Sequence, residues 1–311
     1  MNRVVLVCGA GAAASVCGGA WADQATLTPS KDNTIFSETT STLSNGAGQN
    51  TFAGSTANGD ARRALIRFDL SSIPAGSTIS SVTLTMSLSK APDTGTPHTV
   101  TLKRVTRDWG EGASNAPGEE GGGATALAGD ATWNCAVYNG SSCGTAWTLQ
   151  GGDFAGAVSA AIPVTWNDPP PPAVENQTWG PTAQMTADVQ GWLSDANANF
   201  GWIVIGDESV LATARRFNSR EHPDAATRPR LVVTYTPPGA ACYPNCDHST
   251  TPPAVNTGDF TCFLQQFSAG VLLPAAQQQT HYANCDGSTI FPMVNTGDFT
   301  CFLQKYAAGC S

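Results

Sequence analysis

Ser81-Val82-Thr83-Leu84-Thr85-Met86-Ser87-Leu88 alternates hydroxyl and apolar side chains without a break. That period of two is the signature of a strand with one buried face, here Val82, Leu84, Met86 and Leu88. The same reading extends outward. Ala64-Leu65-Ile66-Arg67-Phe68-Asp69-Leu70 sets Ile66, Phe68 and Leu70 on one face, and residues 100–105 predict a third strand. Gly201-Trp202-Ile203-Val204-Ile205-Gly206 is apolar on both faces, as a central strand requires. Residues 230–235 close the series. Gly, Pro and Asn turns separate these runs, so the expected fold is mainly β, a sandwich or jelly roll. Met185, Val189, Trp192 and Leu193 fall on one face of a short helix that interrupts the strands. Residues 107–180, with Gly121-Gly122-Gly123 and the Pro169–Pro172 run, read as long loops.

Composition agrees. The 311 residues are 41% hydrophobic, enough for a core, but only 13% charged, about half the common share. A net charge of −9 without a basic patch excludes nucleic acid as a partner. Met1-Asn2-Arg3, the small apolar run 4–20 and Ala20-Trp21-Ala22 predict a cleaved signal peptide over residues 1–22, hence a secreted or cell-surface protein with no membrane span in the mature chain. Cys8 and Cys17 would leave with it. Eight cysteines remain, an even number that implies disulfides in an exported protein.

A run of motifs then makes residues 23–238 recognisable. Arg62-Arg63-Ala64-Leu65-Ile66-Arg67-Phe68-Asp69-Leu70-Ser71-Ser72-Ile73-Pro74-Ala75-Gly76 leads into Ile79-Ser80-Ser81-Val82. Val105-Thr106-Arg107-Asp108-Trp109-Gly110-Glu111-Gly112 follows, then Ala187-Asp188-Val189-Gln190-Gly191-Trp192-Leu193, Asn199-Phe200-Gly201-Trp202, Arg216-Phe217-Asn218-Ser219-Arg220-Glu221 and Arg228-Pro229-Arg230-Leu231. The ordered series resembles the DNRLRE, or disaggregatase-related, domain. The resemblance implies a jelly-roll β-sandwich, secretion and a non-catalytic module attached to polysaccharide-active or surface proteins; some related modules bind polysaccharides such as alginate. It carries no ligand-binding role onto named residues.

Residues 239–311 hold an internal repeat with a period of 39. Asn256-Thr257-Gly258-Asp259-Phe260-Thr261-Cys262-Phe263-Leu264-Gln265 recurs unchanged from Asn295 to Gln304. Each unit, about 245–270 and 284–309, is a polar loop followed by a short helix. This arrangement resembles a cysteine-containing dockerin domain, which implies a small helical tail that docks on a cohesin-like receptor; envelope sorting machinery is the alternative partner. The helices would present Thr261, Gln265, Gln266, Thr300, Gln304 and Lys305, with Phe260, Phe263, Leu264, Phe299, Phe302 and Leu303 as the small core.

An EF-hand-type loop needs oxygen ligands at positions 1, 3, 5, 9 and 12. Asn245, Asp247, Ser249, Asn256 and Asp259 supply them in the first unit, with the last two displaced by an insertion; Asn284, Asp286, Ser288, Asn295 and Asp298 supply the second. Two carboxylates per loop predict weak structural calcium. The alternative is that Asn and Asp serve as turn and N-cap residues. The repeat pairs Cys246 with Cys262 and Cys285 with Cys301, and leaves Cys242 and Cys310 for each other. Cys135 and Cys143 then close a loop of the sandwich.

Catalytic signals are sparse. His98, His222, His248 and His281 lie in no HExxH motif, and neither a GxSxG elbow nor a phosphate loop occurs. The carboxylate pairs Asp108/Glu111, Glu119/Glu120, Asp207/Glu208 and Glu221/Asp224 read as solvated loop groups. Trp109, Trp133, Trp147, Trp166 and Trp179 read as core, with room for one or two sugar platforms among them. Arg215-Arg216 and Arg220-Glu221 read as surface pairs or loop braces. The expected function is therefore a non-catalytic binding or structural protein contacting a polysaccharide or other surface polymer. The alternatives are a polysaccharide-degrading enzyme of disaggregatase type and a spacer that binds nothing.

Overall fold

The computed structural model describes residues 23–38, 42–170, 173–237, 243–247 and 255–309. The signal-peptide reading, Ser249, the Cys242–Cys310 pair, and Pro171 and Pro172 lie outside the described residues. Two compact units emerge, one of them Ala22–Pro238 and the other containing Gly239–Ser311.

In the first unit the strands are β1 (Asp23–Leu27), β2 (Pro29–Phe36), β3 (Leu43–Ser44), β4 (Asn50–Ser55), β5 (Ala61–Phe68), β6 (Thr78–Lys90), β7 (His98–Arg104), β8 (Ala124–Thr125), β9 (Cys135–Tyr138), β10 (Cys143–Ala146), β11 (Ala160–Val164), β12 (Glu175–Trp179), β13 (Trp202–Ile205), β14 (Arg215–Asn218) and β15 (Arg230–Thr236). Eleven form one antiparallel sheet in the order β1-β15-β6-β14-β4-β5-β13-β7-β11, with β12 on β6 and β2 on β5. The sheet curls on itself, so the protein is mainly β and built as a sandwich or half-barrel. Strand β4 makes the corner: Asn50–Ala53 pairs with β14, and Gly54 and Ser55 pair with β5. Gly54 has φ +124°, and a Cβ there would meet the Thr213 carbonyl oxygen at 2.7 Å, so the corner requires glycine.

The alternating face of β6 is fully inside. Val82, Leu84, Met86 and Leu88 pack with Ile66, Phe68, Val100, Leu102, Trp179, Trp202, Phe217, Leu231 and Val233. Central β13 lies between β5 and β7 with Trp202, Ile203 and Val204 buried. The predicted helix is α1 (Ala183–Ser194). Thr182 caps it through the Met185 N–H at 3.0 Å, and its apolar stripe lays Met185, Val189 and Trp192 on the core. Asp188, buried on the same helix, accepts from Trp202 Nε1 at 2.9 Å and so ties helix to sheet. The 107–180 segment is more ordered than its sequence suggests. It holds β8 to β12 and a second core of Trp109, Ala131, Ala136, Trp147, Ile35, Leu65, Val105 and Ile203. Arg215 corrects the surface reading: its side chain is wholly buried, with Nη1 2.7 Å from Asp93 Oδ1.

In the second unit α2 (Thr257–Gly270), the short α3 (Ala275–Gln278) and α4 (Thr296–Ala308) surround a core of aromatic rings. Three rings meet their own repeat equivalents, Phe260 meeting Phe299 edge-on at 6.2 Å. Phe263 stacks on Phe302 with centroids 3.9 Å apart, and Tyr243 stacks on Tyr282 at 4.8 Å. The Tyr243 hydroxyl donates to the Tyr282 carbonyl at 2.6 Å, and the Tyr282 hydroxyl donates to the Tyr243 carbonyl. The unit is therefore organised about an internal pseudo-two-fold. Disulfides Cys246–Cys262 and Cys285–Cys301 join each loop to its helix, again as equivalents. Thr261, Gln265, Gln266, Thr300, Gln304 and Lys305 are exposed. Leu264 and Leu303 are also out, 41% and 40% exposed, and do not belong to the core assigned to them from sequence. Phe263 and Phe302 occupy the axis, while Leu264 and Leu303, one position on, turn toward solvent.

That difference is measurable. Phe263→Ala should destabilise the helical unit by about 3–5 kcal/mol, whereas Leu264→Ala should stay within ~0.5 kcal/mol. Denaturant unfolding of the full chain followed by helical circular dichroism separates them; equal losses would mean that the ring pair does not hold the unit.

Candidate functional site

Among the described residues the tryptophans of the 107–180 segment offer no open platform. Trp109, Trp147, Trp166 and Trp179 are buried, and the Arg63 guanidinium covers half-buried Trp133 at 4.7 Å from the ring centroid. The buried indoles find polar partners inside: Trp109 Nε1 donates to the Phe200 carbonyl, Trp147 Nε1 to that of Thr132, and Trp179 Nε1 to that of Val100.

The carboxylate pairs singled out in the sequence are likewise engaged. Asp108 bonds Lys31 at 2.9 Å, and Glu111 bonds Arg220 at 2.6 Å. Glu208 grips Arg63 through two 2.7 Å bonds. Asp207 takes His98 and Ser209, and Asp224 caps a one-turn helix through the Ala226 N–H. Glu120 is buried and accepts from Asn45 Nδ2 and from the backbone N–H groups of Gln49 and Asn50.

Elsewhere one acid is shared by two facing cations. Arg216 on β14 stands directly opposite Lys90 on β6 in the sheet register. Like charges facing each other across antiparallel strands repel. The repulsion is bridged by a single acid from the neighbouring loop, Glu119, which takes Lys90 Nζ at 3.1 Å and Arg216 Nη1. Hydrogen bonding from Lys90 and the charge of Arg216 hold the Glu119 carboxyl below the usual carboxylate range. Lys90 is 57% exposed and Glu119 70%, whereas Arg216 is 20% exposed, so Lys90 is the more reachable of the two cations.

These residues line a groove of about 300 Å³. Its walls are apolar at Phe52, Ala91, Pro92, Ala212 and Ala214, with Ser55 and Thr56 on one side. Arg62 adds a third cation; it leans over the Phe36 ring, pairs with Glu38 and donates to the Gly121 carbonyl. Apolar faces, hydroxyls and paired charges in one open groove suit a polar ligand with flat hydrophobic faces, which is the chemistry of a sugar chain. The sequence did not single out this groove. Its one signal was the Arg216 motif, read there as structural.

The loop residues proposed to hold calcium divide into two sets. Asp259 and Asp298 are fully buried and complete capping boxes. Asp259 accepts from the Asp247 and Asn256 N–H groups at 3.1 and 2.8 Å, and Asp298 from those of Asp286 and Asn295 at 3.1 and 2.7 Å. Asn256 and Asn295 are the N-caps of α2 and α4. The other set converges over a glycine. A Cβ at Gly258 would meet Asp247 Oδ2 at 2.8 Å and Asn256 Oδ1 at 2.9 Å; one at Gly297 would meet Asn295 Oδ1 and Asp286 Oδ2, both at 3.0 Å. Within each pair the asparagine Oδ1 is itself a cap acceptor, taking the Gly258 N–H at 2.7 Å and the Gly297 N–H at 2.8 Å, so a cation there would share that oxygen with the helix. Asn284 and Ser288 bond each other within their own loop, and Asn245 lies in the first loop. Among the described residues no three His, Cys, Asp or Glu side chains gather to hold a metal ion. Cys135–Cys143 closes the β9–β10 hairpin.

Removing the caps should be costly with or without metal. Asp298→Ala is expected to lose about 1–3 kcal/mol, because two buried N–H groups lose their acceptor. Thermal unfolding in chelator tests this; an unchanged melt would show that the capping box does not hold the loop.

No curated protein matches this chain. Among the described residues no helix is long and apolar enough to cross a membrane. The family model of carbohydrate-binding module family 96 matches residues 23–118, the span that contributes Phe52, Arg62 and Lys90 to the groove.

Proposed function

We propose that the β unit is a non-catalytic, secreted jelly-roll module that binds a polysaccharide, and that the groove at Lys90 and Arg216 is where it does so. The observation that carries the reading is the cross-strand pair of like charges bridged by one exposed acid. Such a pair costs stability, and it leaves two cations whose counter-ion can be exchanged. A uronate carboxylate would take the place of Glu119, while sugar rings lie on Ala91 and Pro92 and hydroxyls reach Thr56. Acidic chains should thus bind better than neutral ones. The match to a carbohydrate-binding family supports a glycan as the ligand. Carboxylates already tied to Arg, Lys or backbone N–H groups speak for binding over turnover.

In the same reading, residues 1–22 are removed on export and the dockerin-like tail anchors the module. Its partner is a cohesin-like receptor or the envelope sorting machinery, met through Thr261, Gln265, Gln266 and their equivalents Thr300, Gln304 and Lys305. Calcium belongs to this proposal as a weak ligand of Asp247, Asn256, Asp286 and Asn295. Calorimetry on the full chain after chelation tests it with Asp247→Asn plus Asp286→Asn, which leaves the caps intact. Loss of two weak sites supports the reading, and no difference from the unmodified protein refutes it.

The groove is tested by affinity electrophoresis and calorimetry on uronate-rich and neutral polysaccharides. Lys90→Ala plus Arg216→Ala should weaken binding to acidic chains about tenfold or more, equivalent to ~1.4 kcal/mol, with no loss of thermal stability. Glu119→Gln should strengthen it, because the internal competitor is gone. Salt should weaken it throughout. Undiminished binding in the double variant would move the site elsewhere. New reducing ends or unsaturated products would make the protein an enzyme.

A further inference from the structure

We propose that the β unit holds a divalent cation of the calcium class between Asp32 and Glu221, where β2 meets the Ser219–Glu221 segment after β14. This site is separate from the tail loops and independent of the glycan reading.

Its construction begins with a crowding of acids. Asp32, 1% exposed on β2, accepts the Arg220 N–H on Oδ2 at 2.8 Å. Its own N–H goes to Glu111 Oε1 at 2.9 Å. The Arg220 guanidinium bridges Glu111 Oε1 at 2.6 Å and Glu221 Oε1 at 2.7 Å. Two carboxylates therefore share one guanidinium while Asp32 takes only the backbone N–H, and the three acids outnumber their one cation by two.

The leftover atoms all lack a donor. Asp32 Oδ1 and Glu221 Oε2 are both buried without a hydrogen-bond donor, and the two side chains lie within hydrogen-bond reach of each other. A buried carboxylate oxygen without a donor is costly, and here two of them lie against each other. Burial, together with the charges of Glu221 and Glu111, pushes the Asp32 carboxyl well above the ordinary carboxylate range. One proton shared between Asp32 and Glu221 would relieve half of the excess charge. One divalent ion cancels all of it and gives each orphan oxygen a partner.

The donor set fits a hard cation. Calcium takes carboxylate and amide oxygens and tolerates water at its remaining positions. Arg220 and Glu221 are partly exposed, at 36% and 23%, so water can complete the shell from that side. Glu111 is turned to Arg220 and positions the pair instead of binding the ion.

The chain provides its own reporter. Seven of the eight tryptophans fall between Trp109 and Trp202, and residues 239–311 contain none. Trp109 is two residues from Glu111. Terbium, a luminescent substitute for calcium, should therefore light up from the β unit when only tryptophan is excited. The full chain, stripped with chelator, is expected to show saturable terbium emission that calcium displaces. Asp32→Asn and Glu221→Gln should each weaken terbium binding about tenfold or more, whereas Asp247→Asn plus Asp286→Asn should leave it unchanged. Emission that does not saturate, or that persists in Asp32→Asn, overturns the site. The unmodified protein gives a second reading that no folding defect can confuse. Tryptophan-monitored melting should rise by roughly 5–10 °C between chelator and calcium at about 100 times its Kd. In chelator, Asp32→Asn should melt no lower than the unmodified protein, because it removes an unpaired charge. A melt indifferent to calcium leaves the shared proton as the occupant and refutes the proposal.

Discussion

The β unit depends on the two-faced character of β6. Over thirteen residues, Thr78–Lys90, it pairs with β15, β12 and β14. Its inward face supplies Val82, Leu84, Met86 and Leu88 to the core. Slipping its register by one residue would turn that entire set outward and hydroxyl groups inward. The curl at β4 follows from this demand. A sheet with one apolar face must cover it, and here it is covered by the rest of the same sheet, folded over at Gly54. Helix α1 covers what remains, along Met185, Val189 and Trp192.

Charge is distributed under a second constraint. With few ionisable groups in the chain, nearly every acid in the β unit is engaged by a cation, a cap or a backbone N–H. Arg215 shows how far this goes: it is wholly buried, yet reaches Asp93 and the Thr96 carbonyl. His98 links Asp93 to Asp207, continuing the same chain of contacts. Against this background two places are conspicuous for imbalance. One carries surplus positive charge facing solvent at Lys90 and Arg216. The other carries surplus negative charge facing inward at Asp32 and Glu221. Imbalance, not the presence of charge, is what marks them.

The sequence conveyed the strands well where hydrophobicity alternates, as in residues 81–88, because burial of one face writes itself into a period of two. It conveyed α1 for the same reason at a period near four. It failed on the strands of residues 107–180, where β8, β11 and β12 pair with β3, β7 and β6, far off in sequence, and leave no local rhythm, although its reading of Trp109, Trp147, Trp166 and Trp179 as core holds. Arg215 was misread because a buried arginine looks in sequence like any other. Leu264 and Leu303 were misread because apolarity alone does not tell a ring on the axis from a side chain beside it. The groove escaped notice for a different reason: Arg216 and Lys90 are 126 residues apart, and only the pairing of β14 with β6 makes them opposite. Repeats are the exception to this blindness. The helical unit writes each contact twice, so the equivalence of its cysteines could be read directly.

That doubling also has a history in it. Phe263 with Phe302 and Tyr243 with Tyr282 are contacts between a residue and its own duplicate. A half-length ancestor carrying one phenylalanine and one tyrosine could have met a second copy of itself through those same surfaces, as isologous dimers do. Gene duplication and fusion then turn an association between chains into a fold within one. Positions on the axis inherit a rule that positions elsewhere escape: a change in one copy is tolerated only as far as the other can answer it. Divergence between the halves is therefore free to accumulate at their rims and slow at their shared centre.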